Sequence, residues 1–142
     1  MRQFLLDTNI CVHLLKNEYG VKEKIVEVGT KSCYLSEITI AELLYGIENS
    51  AAVKRQQNIE SFNSLRSLFL DRTLPISNVL DEYARQKAAL RRVGRPIGEF
   101  DLLIGSTAIV HGLKLVTRNT KDFQNLDGIQ LENWIDNNLE SV

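Results

Sequence analysis

The 142-residue chain is short of the residues that staple a fold or hold a soft metal: it has two cysteines, two histidines, two prolines and one tryptophan. Cys11 and Cys33 allow one disulfide at most, which is no secretory framework, and both stand in apolar surroundings. Reduced, buried thiols are the expectation. His13 and His111 lie far apart, and neither has a Cys or His at ligand spacing, so no zinc set is predicted. No apolar run is long enough to span a membrane. Only Arg2 precedes the first apolar run and Asp7 interrupts it, so Met1 to Leu15 does not read as a signal peptide, and a cytoplasmic protein is expected. An excess of one charge is missing too. Seventeen Lys and Arg against eighteen Asp and Glu give a net charge of -1, which speaks against a generally basic, polyanion-binding surface. The exception is local: Arg85, Lys87, Arg91, Arg92 and Arg95 fall in one segment without an acid.

What is present is ordinary for a soluble globular protein, with 44% hydrophobic and 25% charged residues. The length fits one domain over residues 1–142. Short apolar runs at Arg2–Leu6, Cys33–Leu35, Thr73–Ile76, Lys114–Val116 and Ile129–Leu131 read as strands. Pro75 marks the third as an edge strand or a short pairing. Between them fall helical patterns. The first is capped by Thr8 or Asn9 and runs through Val12 and Leu15. Others cover Val21–Val28, ended by Gly29, a stretch begun by Ser36, Ala51–Leu70, Val79–Val93 and Asp101–Val110. Strands alternating with helices predict an α/β sandwich with a mainly parallel central sheet.

In such sheets ligands bind beyond the carboxyl ends of the strands, and the polar residues gather there. In "QFLLDTNICVHLL" an apolar run stops at Asp7. Glu42, in "EITIAELLYGIE", lies near the apolar face of a helix, where a carboxylate is costly unless something positive pairs with it. Asp101 opens the helix "DLLIGSTAIV", a favourable place for an acid by about 0.3–1 kcal/mol, and Glu99 stands two residues earlier. "LVTRNTKDF" brings Thr117, Arg118 and Asn119 just past a strand, and Asp122 a turn later. Each has a plain alternative as a cap or a solvated surface residue. Taken together they form a set of oxygen donors suited to Mg2+ or Mn2+, because clustered carboxylates repel unless a cation neutralises them.

The arrangement resembles the PIN-domain ribonucleases, and within them the VapC toxins of bacterial toxin–antitoxin pairs. The resemblance covers nearly the whole chain and rests on "LLDTNI", "ITIAELLYGIENS", "GRPIGEFDLLIGSTAIVHGLKLVTRNTKDF" and "LDGIQLENW", in that order and separation. It implies a PIN-like three-layer α/β/α sandwich with a metal site at the carboxyl edge of the sheet. Asp7, Glu42 and Asp101 match its three acids. Asn119 stands where many relatives have a fourth, so it ligates without adding charge, and Asp122 is the nearest substitute. Thr117 matches a residue that often lines the pocket. Glu99 ranks below Asp101.

The activity this implies is that of a metal-dependent endoribonuclease toxin using Mg2+ or Mn2+ to hydrolyse structured RNA such as tRNA, leaving a 5′-phosphate. The alternatives are a non-catalytic PIN domain, which the Asn119 departure favours, and a housekeeping RNA-processing nuclease. Aspartyl-phosphate chemistry is a further reading, but "DTN" lacks the second Asp and no Lys is well placed. Arg91, Arg92 and Arg118 are expected to meet RNA phosphates. A VapB-type antitoxin is the expected partner, docked on apolar residues of the helices between Leu43 and Phe69, Tyr45 among them. A homodimer is expected as well.

Overall fold

The computed structural model describes residues 2–136. Five parallel strands form its centre: β1 (Phe4–Leu6), β2 (Cys33–Ser36), β3 (Thr73–Leu74), β4 (Lys114–Val116) and β5 (Leu131–Glu132). Their order is β3-β2-β1-β4-β5. Leu5 pairs with Tyr34 on one side of β1 and with Leu115 on the other. The chain builds outwards from β1 to one edge, then returns to add β4 and β5 at its other side. The strand order therefore reverses at β1 and β4, and a crevice opens beyond their carboxyl ends.

Every residue of β1 is buried, as expected of a strand covered on both faces. Phe4 and Leu6 point into one core and Leu5 into the other, the two-residue period of a strand. The first core is closed by α1 (Thr8–Leu15), α2 (Val21–Val28), α3 (Glu37–Glu48) and α4 (Ala52–Leu68). The second is closed by α5 (Leu80–Arg92), α6 (Glu99–His111) and α7 (Thr120–Phe123). The predicted α/β/α sandwich is thus present, with β3 at an edge as Pro75 indicated.

Several boundaries differ from expectation. The cap of α1 is Asp7, not Thr8 or Asn9; its side chain accepts from the Thr8 N–H at 2.8 Å. Helix α6 starts at Glu99, which moves Asp101 into its first turn. The last strand lies at Leu131–Glu132 rather than Ile129–Leu131, because Gly128, at φ 85°, still belongs to the turn before it. Helix α7, only four residues long, carries too little periodicity to be read from sequence. Ser36 caps α3 as predicted, accepting from the Ile38 N–H at 3.0 Å. Both cysteines are free and buried. Burial pushes the Cys33 thiol up to about 11 and raises the Cys11 thiol further.

Candidate active site

Asp7 sits in the crevice that the strand reversal creates. Its N–H donates to the Val116 carbonyl at 2.9 Å, so the first residue past β1 is fastened to the end of β4. Its side chain is only 4% exposed. The Thr117 hydroxyl donates to Asp7 Oδ2 at 2.8 Å, and Asn9 Nδ2 donates to the same oxygen at 3.3 Å. These bonds favour the carboxylate, but they do not prevail. Burial first, and Asp101 and Glu42 after it, raise the Asp7 carboxyl from 3.8 to about 6.

Glu42 enters from α3. The Thr8 hydroxyl donates to Glu42 Oε1 at 2.7 Å and lies 3.1 Å from the buried Thr39 hydroxyl. Asp101 enters from the first turn of α6 and is half-buried; burial, then Glu42 and Asp122, raise its carboxyl above the ordinary value. The fold thus brings Asp7, Glu42 and Asp101 within electrostatic reach of one another, and Asp122 of α7 within reach of Asp101. Among the described residues none of the four has an ion-pair partner.

Among the described residues no three His, Cys, Asp or Glu side chains are close enough, as they stand, to hold one ion between them. The donor set still fits a hard divalent cation. Its donors are oxygens, the neighbouring carboxylates oppose the ionisation of Asp7 and Asp101, and among the described residues no ion pair relieves them.

The other predicted residues separate. Thr117 is fully buried, with its hydroxyl given to Asp7, so it positions that carboxylate from behind. Asn119 is exposed; its N–H donates to Thr117 Oγ1 at 3.0 Å. The acid sensed by Asp101 from this segment is Asp122. Glu99 does not join the acids: it pairs with Lys87 and accepts from the Tyr83 hydroxyl. The basic stripe of α5 is partly spent in the same way, since Arg85 pairs with Glu82 and Asp127. Arg91 and Arg92, both exposed, have no ion-pair partner among the described residues. Arg118 pairs with Asp136 at 3.3 Å. Thr8 and Asn9, read from sequence as capping residues only, turn out to hold Glu42 and Asp7; no pattern in "DTN" separates those roles.

An apolar groove starts at this site. A cavity of about 570 Å³ is lined by Thr8 and Glu42 together with Leu43, Ile47 and Phe62. A second, of about 400 Å³, meets it at Leu15 and Ser61 and continues past Ile25, Leu65 and Leu68. Tyr45, expected in this groove, does not line it and is 69% exposed on α3.

A family profile described as PIN domain matches residues 4–129. The chain is 38% identical over 136 residues to the tRNA(fMet)-specific endonuclease VapC of Shigella flexneri, covering 94% of this chain and 99% of the relative. It is 35% identical over 138 residues to Ribonuclease VapC2 of Rickettsia felis, covering 92% and 97%. Among solved structures, the DNA-bound VapBC of Salmonella typhimurium superimposes with a TM-score of 0.84 at 32% identity, covering 94% of this chain and 99% of that one. FitAcB of Neisseria gonorrhoeae gives 0.84 at 30% identity, covering 93% and 98%.

Proposed function

Since the chain belongs to the PIN-domain family, we infer from its VapC relatives and its acidic crevice that it is an endoribonuclease, the toxin of a toxin–antitoxin pair. The observation that carries the catalytic reading is the convergence of Asp7, Glu42 and Asp101, with no ion-pair partner among the described residues, at the strand reversal.

Mg2+ or Mn2+ is the cofactor we assign, held by Asp7, Glu42 and Asp101, with Asp122 or Asn119 at the margin; once bound it supplies a water of lowered pKa and positive charge for the phosphoryl oxygens. The chain's own residues prepare that site. Thr117 and Asn9 keep both Asp7 and its orientation fixed, and Thr8 does the same for Glu42. Burial keeps bulk water from screening Asp7. Arg91 and Arg92, uncommitted to nearby acids, are the cations we assign to RNA phosphates. The RNA substrate we propose is tRNA, by likeness to the Shigella flexneri relative.

The antitoxin partner, VapB-type, fits the double groove. Apolar side chains line both cavities, Lys16, Lys22 and Lys54 stand among them, and Glu42 lines the larger one. An amphipathic segment with a basic residue beside Glu42 would cover the apolar lining and neutralise the acids. The second copy expected in a homodimer has a candidate face in the exposed Leu44, Tyr45 and Phe100 of α3 and α6, helices that pack together.

The deciding experiment is cleavage of a total tRNA pool by the antitoxin-free protein with Mg2+, Mn2+ or EDTA, beside Asp7→Ala. Discrete metal-dependent products, absent from the variant, are expected, and sequencing their ends names the site. No cleavage with any metal by folded protein would sink the catalytic reading in favour of a non-catalytic PIN domain.

A further inference from the structure

The turn between α1 and α2 holds two non-glycine residues at positive φ, Asn17 at 55° and Tyr19 at 57°. Asn tolerates the left-handed region because its short polar side chain bonds locally; an aromatic residue gains nothing comparable there. Tyr19 is not repaid by burial either, since it is 55% exposed. Strain of this kind persists only where the surroundings impose it, and here they do. The His13 ring meets the Tyr19 ring nearly perpendicularly, at 87° and 4.8 Å between centroids, and His13 is itself held by Glu18 at 2.9 Å. The Arg118 guanidinium carbon lies 4.9 Å from the Tyr19 centroid.

Arg118 joins this ring to the acids. Its N–H donates to Asn9 Oδ1 at 3.3 Å, and Asn9 Nδ2 donates to Asp7 Oδ2 at 3.3 Å. The residue before it, Thr117, donates to Asp7 directly. The guanidinium's bonds to Asp136 measure 3.3 and 3.4 Å, long for a charge-assisted pair, and its side chain is 37% exposed. Arg118 is thus tied through its backbone to the residues that hold Asp7, and its partly exposed guanidinium lies over one face of the Tyr19 ring.

We propose that Tyr19 and Arg118 form a nucleotide subsite flanking the acidic site, in which the face of the Tyr19 ring not covered by Arg118 stacks an unpaired RNA base and Arg118 exchanges Asp136 for the phosphate of that nucleotide. This rests on the ribonuclease reading and adds to it the residues that grip an unpaired nucleotide, since a base in a duplex offers no free face. Stacking on an aromatic side chain is the general means by which proteins grip unpaired bases, and it tolerates any base. The guanidinium suits a phosphate because its N–H groups match the anion's geometry.

The test uses an Asp7→Asn protein, which keeps RNA intact, and a single-stranded oligoribonucleotide of mixed sequence carrying 2-aminopurine. Binding should change the 2-aminopurine fluorescence. Adding Tyr19→Phe should preserve the change. Adding Tyr19→Leu, or Tyr19→Gly, which suits the positive φ and so guards against misfolding, should abolish it and weaken binding about tenfold. In the otherwise native protein, Tyr19→Leu should raise KM for tRNA with kcat nearly unchanged. Cleavage by the native protein, with the Tyr19→Leu and Tyr19→Gly proteins binding as tightly as their parent, would overturn the subsite alone. Absence of both oligonucleotide binding and tRNA cleavage would overturn the ribonuclease reading and the subsite with it.

Discussion

Replacing Asp7 by Asn should make the metal-free protein more stable at neutral pH while removing its response to divalent cations. The fold raises the Asp7 carboxyl from 3.8 to about 6, chiefly by burial. At about 1.4 kcal/mol per pH unit, ionising Asp7 in the metal-free fold costs about 3 kcal/mol at pH 7. The sign follows from proton counts. The unfolded chain releases this proton near 3.8 and the folded chain near 6, so the folded state holds more protons between those values. Stability therefore falls as pH rises through that window, and the loss persists above it. Asn avoids the charge but cannot accept every bond that Thr8, Asn9 and Thr117 now give to the carboxylate. Losing one such bond costs about 1–2 kcal/mol. The net gain is about 1–2 kcal/mol, or about 3–8 °C in Tm. A cation at ten times its Kd should add about 1.4 kcal/mol to the native protein and nothing to Asp7→Asn. Thermal unfolding at pH 4 and pH 7, with EDTA or Mn2+, reads all of this. An Asp7→Asn protein less stable than its parent at pH 7, by an amount equal to that at pH 4, would refute the reasoning.

Thr117→Val should lift the Asp7 carboxyl further and strand the Asn119 N–H, lowering tRNA cleavage at pH 7 about tenfold, with partial recovery at higher pH; Thr117→Ser should stay near the native rate. Gly105→Ala should destabilise the protein by about 1–3 kcal/mol in urea titration, because the new methyl would overlap the buried Leu126 side chain from within α6. Cys11 and Cys33, fully buried with thiols pushed well above the ordinary value, should resist a disulfide reagent in the native protein and react as two equivalents in denaturant.

The local structure was legible because its causes are local. Phe4-Leu5-Leu6 is apolar on both faces and makes a doubly covered strand. Ser36 is a good cap and begins α3, and Gly29 ends α2. The motifs around Asp7, Glu42 and Asp101 point to an acidic site in the same local way. What those residues meet was not legible. Asp7 bonds to Thr117 across 110 positions of sequence, because β4 inserts beside β1. Of Asn119 and Asp122, α7 brings the second within reach of Asp101. Glu99 could substitute for Asp101 on the page of the sequence, yet α5 packs against α6 and gives it Lys87. Tyr19 carried no signal at all until its turn set it against Arg118. Helix and strand patterns come from neighbours along the chain. The ionisation, pairing and accessibility of a side chain come from burial and from charges a few ångströms away, and those distances exist only once the sheet has chosen its order.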